Sequence, residues 1–132
     1  MSTPSHSVLV VDDSKINRRK MEKAAEALGH QTIAVENGAD ALTALFQYRI
    51  DLVLLDIEMP VLDGFGVLVA MRDDPALVDI PVIVISAVED IDSIVRAIEL
   101  GAQDFLPKNF EKVLFAARVG SCLHQKLSLI HI

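Results

Sequence analysis

Val8-Leu9-Val10-Val11-Asp12-Asp13, Leu52-Val53-Leu54-Leu55-Asp56 and Val82-Ile83-Val84-Ile85-Ser86 are the stretches that decide the fold. Each is an unbroken aliphatic run that ends in polar residues. Short apolar runs without polar alternation read as strands buried on both faces, and hence as a parallel sheet. In open parallel sheets, sites form in the crevice outside the carboxyl ends of the strands. Asp12, Asp13, Asp56 and the Ser86 hydroxyl would then meet at one edge. Carboxylates held close repel one another, and a hard divalent cation is the usual remedy. The pattern therefore points to a bound divalent metal and to phosphoryl chemistry.

Working outward, strand-like and helix-like segments alternate from Ser7 onward. A first strand over 7–12 leads into a helix from Ser14, a suitable N-cap, to Leu28, with Gly29 as its stop. Met21, Ala24, Ala25 and Leu28 fall on one face of that helix. A short strand over 32–35 precedes a second helix opened by Asn37-Gly38, with a stripe of Ala41, Leu42, Leu45 and Phe46. The third strand spans 51–56. Pro60 and Asp63-Gly64 mark a loop before a third helix that turns Phe65, Leu68 and Met71 inward and ends at Asp73-Asp74-Pro75. A fourth strand over 82–86 is followed by a helix over about 90–100, with Ile91, Ile94, Val95 and Ile98 expected inward. A fifth strand over 104–106 leads to a last helix from about 109 to 126. This is an α/β chain of five strand–helix units with no internal repeat. Right-handed crossovers place its helices on both faces of the sheet.

The 132 residues suit one domain with a real core, expected over 1–126. Residues 127–132 are expected to be a tail, or the start of a linker to an output domain that this chain lacks. The net charge of −7 argues against a grip on nucleic acid or an anionic membrane. Cys122 is the single cysteine, so no internal disulfide can form, and a reducing compartment is compatible. No leader pattern precedes the first strand, and no apolar stretch is long enough to span a membrane. The expectation is a soluble, cytoplasmic protein.

Taken singly, each polar residue has an ordinary explanation: a helix cap, a solvated acid, a surface lysine. Together, Val10-Val11-Asp12-Asp13-Ser14, Asp56-Ile57-Glu58-Met59-Pro60 with Asp63-Gly64, Ser86-Ala87 and Asp104-Phe105-Leu106-Pro107-Lys108 resemble the signature segments of response-regulator receiver domains of two-component signalling. The resemblance covers about residues 7–126 and implies the flavodoxin-like strand order 2-1-3-4-5, an order for which the family is itself a standard illustration. It implies that Asp56 accepts a phosphoryl group from a histidine kinase or phosphotransfer protein. Asp13 would bind Mg²⁺ directly and Asp12 through water, with Asp56 and the Glu58 backbone carbonyl completing the protein ligands. Lys108 and Ser86 would meet the phosphoryl oxygens. Phosphorylation would be relayed through the face formed by the fourth helix, fifth strand and fifth helix.

Three positions depart from the family's common pattern. Asn109 stands where Pro is usual after the lysine, and the preceding peptide is expected to be trans. Phe105 replaces the common Tyr, so a switch here would work through burial and not through a hydroxyl. Glu58 adds a carboxylate near the acceptor. Two other readings fit parts of the pattern: a Mg²⁺-dependent phosphatase-type enzyme, and a pseudo-receiver that binds partners without phosphorylation. The full set of acids, hydroxyl and lysine favours the switch, which performs only its own phosphoryl transfer and autodephosphorylation. In the last helix, Phe115, Val119, Cys122 and Leu123 form the core stripe. Val113, Leu114 and Ala117 lie off it, and Leu127, Leu129, Ile130 and Ile132 extend the apolar character. A homodimer through the helix 4–strand 5–helix 5 face is the expectation they raise.

Overall fold

Side-chain parity along the central strands builds two cores at once. In the computed structural model, which describes residues 5–57, 59, 63–87 and 90–130 (side chains as far as 124), five parallel strands run in the order β2-β1-β3-β4-β5. They are β1 (Ser7–Val11), β2 (Gln31–Val35), β3 (Leu52–Asp56), β4 (Val82–Ser86) and β5 (Asp104–Pro107). The helices are α1 (Lys15–Ala27), α2 (Gly38–Gln47), α3 (Gly64–Arg72), α4 (Ile91–Glu99) and α5 (Lys112–Ile130). Successive side chains of a strand point to opposite faces. Leu9, Val11, Val53, Leu55, Val82 and Val84 therefore face α2, α3 and α4. Val8, Val10, Leu52, Leu54, Ile83 and Ile85 face α1 and α5. Residues of both sets are almost wholly buried, as expected of a sheet covered on both sides.

The ends of the helices follow from local chemistry. Ser14, Asn37 and Asp63 each accept a backbone N–H from three residues on, at 3.3, 2.8 and 3.0 Å, and so cap α1, α2 and α3. Gly29 and Gly101 take φ of +91° and +113° just past α1 and α4, a conformation that closes a helix and strains any residue with a Cβ. On α5, Phe115, Val119, Cys122 and Leu123 are buried, as the heptad spacing requires. The Cys122 thiol sits among them, and burial pushes its pKa up to about 11. The α5 helix continues to Ile130, past the expected boundary at 126. No cis peptide occurs among the described residues, and the Lys108–Asn109 bond is trans.

Two helices bury a different face from the one their apolar residues suggested. On α4 only Ile94 and Ala97 are buried, while Ile91, Val95 and Ile98 stand out at 65, 49 and 43% exposure. The small Ala97 lets α4 lie close to the sheet, which turns the larger residues outward. On α2, Phe46 is exposed and Ala44 takes its place inside.

At the edge of the sheet opposite the acids, the His6 backbone N–H donates to His30 Nδ1 at 3.3 Å, with the two rings packed edge-on. The His6 carbonyl accepts from Gln31 N at 2.9 Å, so this pair ties the start of β1 to the start of β2. Burial, then the charge of His6, lowers the His30 pKa below its ordinary 6.5, against the opposing pull of Asp51. A base with a lowered folded pKa contributes stability above 6.5 and loses it as pH falls through the folded value. Denaturant midpoints at pH 5.5 and 7.5 should therefore differ less for His30→Gln than for the wild type. An unchanged difference would remove the imidazole from the account.

Candidate functional site

Strand register sets two carboxylates side by side. β1 and β3 pair through Val10↔Leu54 and Val11↔Leu55. One step further along each strand stand Asp12 and Asp56, both almost fully buried. The Asp12 N–H is held by the Val35 carbonyl of β2 at 3.2 Å, and Asp13 follows, exposed at the mouth of the crevice. One carboxylate oxygen from each of Asp12, Asp13 and Asp56 lies within 4.8 Å of the other two.

The neighbouring strand pair supplies the positive charge. β4 and β5 end at the pair Ser86↔Pro107, and Lys108 N–H donates to the Ser86 carbonyl at 3.0 Å. The lysine thus starts at the same edge, and its Nζ lies 3.8 Å from Asp56 Oδ1. Ser86 is buried there too, but its hydroxyl donates to the Ala87 carbonyl at 3.4 Å. Asp12, Asp13, Asp56 and Lys108 are therefore brought together by measured distances, and Ser86 by its place in the sheet. Glu58 lies outside the described residues, as does Pro60.

Burial pushes the Asp12 carboxyl above the usual carboxylate range. The Ser14 N–H, donating to Oδ1 at 2.8 Å, and the Lys108 charge act against that rise; the Asp13 charge adds to it. Asp12 Oδ2 is buried and finds no hydrogen-bond partner among the described residues. A buried charged oxygen left in that state is costly, and a cation would satisfy it. The donor set is all carboxylate oxygen and open on the Asp13 side. That suits a hard cation that keeps several waters, as Mg²⁺ does, better than a softer metal that wants nitrogen or sulfur.

Three basic residues that the sequence reading passed over buttress the site. Arg18 Nη1 donates to the Asp12 carbonyl at 2.9 Å. Lys20 Nζ donates to the Lys108 carbonyl at 3.2 Å and sits 4.3 Å above the Phe110 ring. Arg118 pairs with Asp104 and covers the ring of the half-buried Phe105 at 5.2 Å. The signal was present as Arg18-Arg19-Lys20, a basic run inside an acidic chain. Gly64 matters for a different reason: its N–H donates to the Ile57 carbonyl at 2.9 Å, and a Cβ there would lie 2.6 Å from Ile57 Cα and 2.8 Å from the Asp56 carbonyl oxygen. Only glycine lets α3 approach the end of β3 so closely.

With this geometry in hand, comparison with known proteins defines the class. The family model for the response regulator receiver domain matches residues 8–119, and the chain belongs to that family. It is 37% identical over 120 residues to the "probable transcriptional regulator ycf27" of Cyanidium caldarium, covering 91% of this chain and 47% of that protein. It is 37% identical over 123 residues to the response regulator PleD of Caulobacter vibrioides, covering 93% of this chain and 27% of PleD. This chain thus spans about half the length of the ycf27 relatives and less of PleD. Among solved structures, the signal receiver domain of a signal transduction histidine kinase from Syntrophus aciditrophicus superposes with a TM-score of 0.84 at 33% identity, covering 92% of each chain. The receiver domain of NtrX from Brucella abortus gives 0.83 at 30% identity, covering 89% of this chain and 98% of that one. The chain is a phospho-accepting receiver domain, and its Asp12, Asp13 and Asp56 match the acidic pocket that coordinates Mg²⁺ in that family. Such a domain is not a turnover enzyme; it catalyses its own phosphorylation and dephosphorylation.

Two outcomes follow. In EDTA, Asp12→Asn should raise the melting temperature, because it removes a buried charge from two like neighbours. Added Mg²⁺ should stabilise the wild type more than the variant. A wild type that melts above the variant in EDTA would contradict the repulsion. Gly64→Ala should cost about 1–3 kcal/mol of stability through overpacking, read as a shift in the urea midpoint, and should weaken Mg²⁺ binding by displacing Asp56.

Proposed function

We propose that Asp56 is the phosphoryl acceptor of a two-component signalling switch, with a histidine kinase or phosphotransfer protein as donor. The observation that carries this reading is a buried carboxylate with Lys108 Nζ 3.8 Å away and two further carboxylates within 4.8 Å. An Asp56 carboxylate oxygen attacks phosphorus, the bond from phosphorus to the donor imidazole nitrogen breaks, and an acyl phosphate forms. Lys108 follows the charge onto the phosphoryl oxygens. Ser86 turns its hydroxyl from the Ala87 carbonyl toward the same oxygens, drawing the loop after β4 with it. Asp13 and Asp56 would hold Mg²⁺ directly and Asp12 through water, with the Glu58 carbonyl as a further ligand. When bound, the ion neutralises charge on the transferring group.

The donor approaches over α1, where Ile16 is 81% exposed and Lys15, Arg19, Lys20 and Lys23 surround it. An acidic surface with an apolar centre complements that face. The output leaves through α4, β5 and α5. The exposed Ile91, Val95 and Ile98 lie one turn apart along α4, an apolar strip of the kind that marks an interface. We assign it to a second copy of the chain, in a two-fold dimer tuned by the phosphorylation state.

Acetyl phosphate with Mg²⁺ should add one phosphoryl group to the intact mass, and either EDTA or Asp56→Asn should abolish the addition. Undiminished labelling of Asp56→Asn would sink the assignment. For the interface, Val95→Glu should change folding stability by less than about 0.5 kcal/mol, as surface changes do, yet reduce self-association in light scattering. A strictly monomeric wild type, phosphorylated or not, would remove the dimer.

A further inference from the structure

Between α1 and α5, on the face away from α4, lies a groove of about 350 Å³, within the size range of small-molecule sites. Its walls are Ala24 and Ala27 of α1, whose short side chains leave the space, and Phe110 and Phe115, stacked at 4.9 Å between ring centroids. Three lysines, Lys20, Lys23 and Lys112, line its rim, and among the described residues no acidic one does. That is a concentration of positive charge in a chain of net charge −7. Apolar walls under a cationic rim complement an apolar body that ends in an anion.

The groove is also wired to the phosphoryl site. Lys20 sits over Phe110 at 4.3 Å and donates to the Lys108 carbonyl at 3.2 Å. The Lys108 N–H is held by Ser86. An anion in the groove would compete with the Lys108 carbonyl for the Lys20 ammonium, and so loosen the loop that aims Lys108 at Asp56. We propose that this groove binds a small anionic amphiphile, a naphthalene-sized apolar body bearing a carboxylate or similar anion, and that its occupancy changes the rate at which Asp56 is phosphorylated. The second half rests on the reading of Asp56 as acceptor; the first half does not.

The test uses 1-naphthoate as probe and 1-naphthalenemethanol as its neutral counterpart, titrated into the isotope-labelled full chain. Naphthoate should shift the Ala24, Ala27, Phe115 and Lys108 amide signals saturably. The alcohol should bind about five-fold or more weaker, as should naphthoate to the Lys23→Ala/Lys112→Ala double variant. Ala27→Phe, which fills the groove, should abolish the shifts while the remaining spectrum stays folded. Naphthoate should change the initial rate of acetyl phosphate labelling by about two-fold or more, and Lys20→Met should remove that effect. Absent or non-saturable shifts, or equal affinity for alcohol and naphthoate, would overturn the site and leave the groove to a protein helix. Saturable binding with an unchanged labelling rate would overturn the coupling. Because the shifts are read without phosphorylation, failure of labelling altogether faults the Asp56 reading alone.

Discussion

Mutual repulsion among Asp12, Asp13 and Asp56 is the constraint around which the rest is arranged. Two of these charges are forced together by the pairing of β1 with β3, because each stands one residue past the last aliphatic pair. Neither can turn away without breaking the register, and both are removed from water. The fold offsets this with a backbone N–H from Ser14, the ammonium of Lys108 and an open side through which a divalent cation can enter. The folded domain is thereby left short of positive charge at one point. That deficit gives affinity both for a metal ion and, once it is bound, for an anionic phosphoryl group that neither charge alone would hold.

The cations that surround this centre are held by backbone atoms as well as by acids. Arg18 and Lys20 spend their donors on the carbonyls of Asp12 and Lys108, at the ends of β1 and β5. They reinforce the loops that carry the site. Arg118 does similar service on the other side, pinned to Asp104 and lying over Phe105. The ring whose burial is expected to report the switch is therefore covered by a residue whose ion pair would have to adjust if the ring moved.

How much of this was legible in the amino-acid sequence depended on whether a residue's neighbours are set by the backbone or by side-chain packing. The three central strands, their burial on both faces and the meeting of Asp12, Asp13 and Asp56 followed from aliphatic runs with polar ends, because register carries a strand-end residue to a definite place; the place of Lys108 came from family resemblance. The strand order came from family resemblance and agrees with the structure. The face that α4 buries did not come out of periodicity. Ile91, Val95 and Ile98 outnumber the apolar residues opposite them, but close packing through Ala97 decides which side meets the sheet. Phe46 and Ala44 on α2 repeat that lesson. The partner of Lys20 was hidden for another reason: the Arg18-Arg19-Lys20 run marks a basic patch, but a bond to a carbonyl 88 positions away leaves no mark on the residues next to it.

The two-sided parity of β1, β3 and β4 has a consequence for how such a chain can vary over generations. A single residue inserted or deleted within any of these strands would swap every following side chain between the two cores, exchanging sets that fit different helices. Changes of length are therefore excluded from the strands and fall on the connections between strands and helices. The chemistry sits at that boundary: Asp56 and Ser86 are the last residues of β3 and β4, while Asp12, Asp13 and Lys108 are the first beyond β1 and β5. Inheritance can thus reshape the loops that govern how fast a phosphoryl group arrives and leaves, while the sheet that places Asp12 beside Asp56 is passed on unaltered.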